Sequence, residues 1–171
     1  MKLKVKEIAL FSILGTILFV SKIVMEALPN VHLLGTLIVA FTVVFRAKAL
    51  IPVYVYVFLC GLYAGFTPWW VPYIYIWAVL VLLTLLIPKK IPPKFRWLIY
   101  LIVSGLHGFL FGTLYAPAQS LMFGLNFEAT IAWIIAGLPF DLMHGVSNLV
   151  CGVLIMPIVK ALNHVKRMYL N

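Results

Sequence analysis

Apolar residues fall into six long runs, which are separated by short polar, charged or proline-containing connections. Such runs predict helices near residues 7–28, 31–46, 50–66, 72–87, 97–116 and 139–160. Pro72 and Pro139 stand where the first turn of a helix tolerates proline. We therefore expect an all-α integral membrane protein, a single six-helix transmembrane domain over residues 1–171.

Two stretches depart from this pattern. The apolar part of the second run, from Leu33 to Phe45, would be only about 20 Å long against a hydrocarbon core of about 30 Å, which suggests that it borders a cavity. Residues 117–138 contain proline and glycine, and they are too polar for a clean span yet too apolar for a solvated loop. We expect them to form a broken segment before helix 6, either re-entrant or interfacial, that acts as a lid.

Composition excludes a water-soluble globule. Of the 171 residues, 65% are hydrophobic and 10% are charged, whereas soluble chains are roughly 45–50% apolar. Six spans of about 20 residues leave too little chain for a domain outside the membrane. Cys60 and Cys151 both lie inside apolar runs, so neither a disulfide framework nor a cysteine-based metal site is expected.

The net charge of +9 predicts how the helices are oriented. Every Lys and Arg except Lys22 lies before helix 1, at or beyond the end of helix 6, or at the connections between helices 2 and 3 and between helices 4 and 5. Because basic residues collect on the cytoplasmic side, both termini are predicted to be cytoplasmic. Binding to nucleic acid is the weaker explanation of the charge, and no nucleic-acid partner is expected.

Ionisable residues inside apolar runs are candidates for function, because hydrocarbon penalises them unless they are paired or face a cavity. Lys22 and Glu26 are four residues apart and share one face of helix 1. They would form either a structural ion pair or part of a ligand cavity.

A second polar face lies on helix 6, where Asp141, His144 and Asn148 follow one stripe together with Gly145 and Gly152. One interpretation is a substrate-binding wall. The alternative is structural, with Asp141 capping the start of the helix and the glycines permitting close packing. Asp141 and His144, with His107, could also ligate a metal, but the set is weak and no metal site is assigned.

His107 lies among glycines in the fifth run. It would be either a buried histidine whose hydrogen bonds are made within the protein or a residue that contacts the ligand. The outer connections add candidates that would serve as interfacial anchors or line the mouth of a site. The complete set of candidate substrate-binding residues is Lys22, Glu26, Asn30, His32, Trp69, Trp70, Tyr73, His107, Asp141, His144 and Asn148.

Catalytic signatures are missing. The chain has no Gly-x-x-x-x-Gly-Lys-[Ser/Thr] phosphate loop, no Gly-x-Ser-x-Gly and no His-Glu-x-x-His motif. We therefore expect no enzyme activity, no catalytic residues and no cofactor in this chain.

Three stretches, MEALPNVHLLG, YVFLCGLYAGFTPWWVPYIYIWAVL and AWIIAGLPFDLMHGVSNLVCG, resemble the substrate-binding S components of energy-coupling factor (ECF) vitamin transporters. The resemblance extends over essentially the whole chain. It implies a protein of a prokaryotic cell membrane that captures a vitamin from outside and docks on a membrane scaffold subunit with two ATPases, which use the ATP. Cobalamin is favoured as the vitamin, with riboflavin, pantothenate, pyridoxine and queuosine precursors as alternatives.

In this family small residues on helix 1, commonly Ala-x-x-x-Ala, contact the scaffold. That pattern is missing here, and Ala9, Ser12, Gly15 and Thr16 offer a small-residue face for docking instead. Three other classes stay open at this point: an intramembrane enzyme built on Asp141 and His144, a channel, and a stand-alone secondary carrier.

Overall fold

The computed structural model describes residues 3–28, 31–88 and 90–170, and within these ranges the chain is helical without strands. Eight α-helices follow one another: α1 Val5–Met25, α2 Leu34–Phe45, α3 Leu50–Ala64, α4 Tyr73–Leu86, α5 Pro93–Phe109, α6 Phe111–Phe123, α7 Phe127–Gly152 and α8 Ile155–Leu170. Short 3-10 turns at Arg46–Ala49 and Pro68–Trp70 precede α3 and α4.

Five helical stretches are long and apolar enough to cross a membrane: 5–25, 34–64, 68–86, 94–123 and 127–152. The stretch 34–64 contains both α2 and α3, and the chain reverses between them at Arg46, which has a φ of 56°. Counting α2 and α3 separately gives six helices, so the composition and the helix lengths agree with a multi-pass membrane protein.

Contacts between α1 and α3 establish the direction of the chain. Lys48 pairs with Glu7 at one end of this helix pair, and Phe19 meets Tyr63 at the other, with ring centroids 5.7 Å apart. The two helices therefore run parallel. α2 runs in the opposite direction, because its last residue, Phe45, packs against Phe11 near the Glu7 end of α1.

Basic residues gather at the Glu7 end of the bundle, which we call the basic end. Lys166 of α8 donates to the Val44 carbonyl at 3.1 Å, and the Arg46 guanidinium donates to the Leu85 carbonyl at 3.4 Å. Both terminal helices thus meet the bundle at the same end. This placement is consistent with the predicted grouping of the loop charges, whereas the assignment of that end to the cytoplasm stays a prediction.

The segment 117–138 is helical. α6 continues to Phe123 and ends at Gly124, which has the left-handed φ of 64° that glycine adopts without strain. α7 begins at once, because the Asn126 side chain accepts a hydrogen bond from the Ala129 backbone N–H at 2.8 Å. The segment therefore forms the turn and arms of an α6–α7 hairpin, and its position relative to a bilayer stays a prediction.

The predicted bounds of helix 6, 139–160, are wrong at both ends. Pro139 does not start a helix but lies inside α7, where it costs one hydrogen bond to the preceding turn. The helix also breaks after Gly152, and α8 starts at Ile155. Pro157, the third residue of α8, cannot donate to the Val153 carbonyl, so an unbroken helix through this point is disfavoured.

Candidate functional site

The polar stripe on α7 faces α5, and the two helices pack closely along a seam of glycines. Gly145 lies directly against the Phe109 ring, and Gly152 lies opposite Leu101. A Cβ at Gly108 would come within 2.7 Å of the His144 carbonyl oxygen. The glycines therefore permit close packing, as the structural interpretation of the stripe proposed.

Asn148 joins three helices at this seam. Its side-chain Nδ2 donates to the Ser104 carbonyl of α5 at 2.9 Å, and both side chains approach α2 at Gly35. A Cβ at Gly35 would lie 2.8 Å from Asn148 Oδ1 and 2.8 Å from Ser104 Oγ. Only glycine fits at this position without displacing the polar groups.

Three of the four histidines meet beside this junction. The His32 and His144 rings lie 5.2 Å apart, and His107 lies 5.7 Å from the Trp77 ring. Phe111 connects the two pairs, at 4.9 Å from His144 and 5.6 Å from Trp77. We call the polar cluster the set His32, Trp77, Ser104, His107, His144 and Asn148.

Most members of the polar cluster carry a buried polar atom that has no hydrogen-bond partner among the described residues. These atoms are His32 Nδ1, Trp77 Nε1, Ser104 Oγ, His144 Nδ1 and Asn148 Oδ1. His107 differs, because its Nε2–H donates to the Ile76 carbonyl at 3.0 Å. Buried polar groups without partners are costly, so the proximity of these residues makes this region a candidate binding site for a polar molecule.

His32 lies in the connection before α2, outside the spanning helices. Burial lowers the pKa of His32 to about 4, and the neighbouring His144 imidazole adds to the effect. The side chain is therefore neutral near pH 7, and a neutral imidazole can donate one hydrogen bond and accept another. The backbone N–H of His32 donates to Ser147 Oγ at 3.2 Å and ties this connection to α7.

A cavity of about 440 Å³ adjoins the polar cluster between α6 and α7, and we call it the hairpin cavity. It shares Phe111 and His144 with the surroundings of the polar cluster. The Tyr115 and Trp133 rings stack at 5.8 Å across the two helices. The lining residues are Phe111, Gly112, Tyr115, Gln119, Trp133, Ala136, Gly137, Phe140, Asp141 and His144.

Asp141 is buried at the base of the hairpin cavity. Its Oδ1 accepts the Gly112 backbone N–H at 2.7 Å, in the first turn of α6, and its Oδ2 has no partner. The structural alternative supposed that Asp141 caps its own helix, and this is wrong. Asp141 caps α6 at the break between α5 and α6.

The predicted outer aromatic residues separate into two groups. The Trp69 and Tyr73 rings lie 5.4 Å apart, and the Tyr73 ring lies 5.7 Å from that of Trp77. Trp69 is thus connected to the polar cluster through Tyr73. Tyr115 also donates to the Trp69 carbonyl at 2.7 Å. Trp70 turns towards α3, where its Nε1 donates to the Val57 carbonyl at 2.7 Å.

Two further candidates on helix 1 form an ion pair with each other. Lys22 Nζ and Glu26 Oε1 are 3.0 Å apart, and the Glu26 side chain is 56% exposed. This geometry is that of the structural ion pair considered as the alternative to a ligand contact. Asn30 lies outside the described residues.

The small residues of helix 1 do not form one exposed face. Ala9, Ser12 and Thr16 are exposed, whereas Gly15 is buried against α3. A Cβ at Gly15 would lie 2.5 Å from Val55 Cβ and 2.9 Å from the Pro52 carbonyl oxygen. Gly15 therefore serves α1–α3 packing, and the exposed small-residue face consists of the other three.

Sequence reasoning missed most of the aromatic lining and the hydroxyl groups. Trp77, Phe111, Tyr115 and Trp133 look like ordinary apolar or interfacial residues in their helices. The only local signal is the spacing of Ser104 and His107, which are three apart and thus on one helix face. Among the described residues, no three His, Cys, Asp or Glu side chains are grouped so that they could hold a metal ion.

Comparisons with known proteins found no match for this chain among protein-family models, curated proteins or solved structures.

Proposed function

We propose that this chain is the substrate-capture S component of an ECF-type importer, which binds a vitamin from outside the cell. The observation that carries the proposal is the polar cluster beside the hairpin cavity. The cavity is lined by aromatic side chains with a few polar groups, among which Asp141 and His144 carry polar atoms without a partner in the described part of the chain, and such a lining is usual for a small-molecule site.

The position of the site supports capture from one side. The basic end of the bundle contains the Lys48–Glu7 pair and the bond from Lys166 to Val44. The polar cluster lies at the other end, where α4 begins and α1 ends. If basic residues face the cytoplasm, the site opens to the outside.

ATP-driven transport then requires partners, because this chain has no phosphate-binding loop. The partners in this proposal are an ECF transmembrane scaffold subunit and two ATPase subunits in a prokaryotic cell membrane. The exposed residues Ala9, Ser12 and Thr16 would contact the scaffold, since small side chains let helices approach closely. The vitamin is cobalamin or one of the smaller alternatives.

The first test is mass spectrometry of the small molecule that remains bound to the detergent-purified chain. The second is uptake into vesicles. The chain alone should bind the substrate without accumulating it, and co-reconstitution with the scaffold and ATPases should give uptake that depends on ATP. Accumulation by the chain alone would favour a secondary carrier, and chemical turnover of the substrate would favour an enzyme. Either result would contradict the proposal.

A variant of Asn148 tests whether the polar cluster is the binding site. Asn148→Leu removes one polar contact, which typically costs about 1–3 kcal/mol, so affinity should fall by roughly 5- to 150-fold. Val150→Leu on the exposed face of the same helix is the matched control and should bind normally. Calorimetric titration of monodisperse protein distinguishes lost affinity from lost folding, and normal affinity of Asn148→Leu would remove this residue from the site.

A further inference from the structure

We propose that the ligand of the hairpin cavity is a planar aromatic heterocycle that carries a positive charge. This inference rests on the proposed capture function and specifies the chemistry of its substrate. Asp141 would pair with the charge, and the aromatic side chains of α6 and α7 would hold the ring.

The first argument concerns the acidic residues. Glu7 pairs with Lys48, and Glu26 pairs with Lys22. Glu128 is exposed in the first turn of α7, where the positive end of the helix dipole also favours it. Asp141 is only 3% exposed, and its Oδ2 has no hydrogen-bond partner. Asp141 thus carries a buried carboxylate oxygen to which no described residue donates a hydrogen bond.

The lining of the hairpin cavity contains no Lys or Arg, and none of the described residues donates a hydrogen bond to this oxygen. A carboxylate buried in a membrane protein is stable only when a cation or hydrogen-bond donors compensate it. A cationic ligand would supply the missing charge. The carboxylate would instead repel an anionic ligand such as a free carboxylate.

The second argument concerns the aromatic residues. Phe111, Tyr115, Trp133 and Phe140 are four of the ten lining residues. The faces of aromatic rings attract cations, most strongly for Trp, and carry flat rings by stacking. Tyr115 and Trp133 are nearly parallel, with an interplanar angle of 22°. Aromatic faces beside a carboxylate are the combination that recognises organic cations.

The third argument is space. A Cβ at Gly112 would lie 2.8 Å from Asp141 Oδ2, so only glycine lets the carboxylate lie this close to α6 at the base of the cavity. Gly137, on the opposite helix, has no heavy atom within 4 Å of its Cβ position. The volume of about 440 Å³ lies in the lower half of the range for ligand pockets, which suits one or two fused or linked rings better than a corrin.

The test uses three probes with the same ring and different charge: 1-methylnicotinamide, a cation; nicotinamide, which is neutral; and nicotinate, an anion. Binding to the full chain in detergent is followed by ligand-observed NMR titration. We expect the cation to bind about tenfold more tightly than the other two, since one ion pair and one cation–π contact together supply a factor of this size. Equal binding of the three, a preference for the neutral or anionic probe, or no binding of any would overturn the inference.

Two pairs of variants test whether the preference for the cation arises in the hairpin cavity. Asp141→Asn keeps an oxygen for the Gly112 N–H but removes the charge, so it should fold and lose the preference for the cation, whereas Glu128→Gln on the same helix should retain it. Trp133→Leu should weaken binding of the cation, whereas Phe123→Leu, outside the lining, should not. An unchanged preference in Asp141→Asn would overturn the inference.

Uptake separates this inference from the function on which it rests. If vesicles containing the scaffold and ATPases import riboflavin, pantothenate or cobalamin with ATP, the capture function holds while the positive charge of the ligand is refuted. If no compound, charged or neutral, is bound or imported, both fail.

Discussion

Close packing of α5 on α7 leads to a sharp test with two glycines. Gly108 lies in the seam, where an added Cβ would be 2.7 Å from the His144 carbonyl oxygen and 2.8 Å from the Gly145 backbone nitrogen. Both neighbours are backbone atoms of α7, so they cannot move without moving the helix. Gly137 is also inside a helix but has open space at its Cβ position.

The magnitude follows from comparing alanine at the two positions. Neither glycine has positive φ, so alanine gains about 0.5–1 kcal/mol of helix propensity at both. At Gly108 the methyl group must also force α5 and α7 apart, and overpacking of this kind costs typically about 1–3 kcal/mol. The propensity gain cancels in the comparison. Gly108→Ala should therefore be about 1–3 kcal/mol less stable than Gly137→Ala.

The assay is thermal unfolding of both variants in the same detergent, followed by circular dichroism. For a chain of this length the difference corresponds to a gap in Tm of roughly 2–12 °C. In the variant Gly108→Ala the Asn148 side chain should also be displaced, since a Cβ at Gly108 would lie 2.8 Å from Asn148 Nδ2. If Gly108→Ala is as stable as Gly137→Ala, the seam is not packed as described and the reasoning is refuted.

Three further predictions follow from other parts of the molecule. Burial lowers the pKa of His32 to about 4, from a value near 6.5 in the unfolded chain. Between pH 4 and pH 6.5 the imidazole is therefore protonated in the unfolded chain and neutral in the folded chain. The free energy of unfolding should therefore fall by up to about 3 kcal/mol as the pH is lowered from 6.5 to 4, and the variant His32→Gln should show a smaller pH slope in thermal unfolding; an equal slope contradicts the assignment. Single cysteines at Thr67 and Lys90, in a cysteine-free background, should react oppositely with an impermeant thiol reagent in intact cells, because residues 67–71 are predicted outside and 88–96 in the cytoplasm; equal labelling refutes this topology. The variant Ser12→Trp should weaken assembly with the scaffold and spare substrate binding, since this side chain is exposed, and normal assembly would argue against docking through this face.

Local sequence pattern located the first four helices and one face of the site, but it misplaced the helices of the last third of the chain. Long apolar runs predict helices near where the structure has them, and the spacing of Asp141, Gly145 and Asn148 places them on one stripe, which is buried. Capping signals were harder to read. Asn126 starts α7 through its side chain, yet Pro139 is the more conspicuous signal in the sequence and was mistaken for the helix start.

The assembly of the candidate site depended on tertiary structure. His32 comes from a connection, Trp77 from α4, His107 from α5 and His144 from α7, and no local spacing relates these positions. Gly15 is a second position that the sequence could not assign. Its spacing grouped it with exposed small residues, whereas in the structure it packs against α3.

The physical reason lies in the composition of a membrane chain. In a soluble helix the apolar stripe shows which face is buried, because the opposite face must be polar. Here lipid-facing and core-facing positions are both apolar, as in α4, where the exposed Leu82 and the buried Val81 are neighbours of the same type. Sequence alone therefore indicated most of the helical segments and the positions of their rare polar groups. Only packing of the whole bundle decided which faces meet, because that choice depends on shape complementarity between helices distant in the chain.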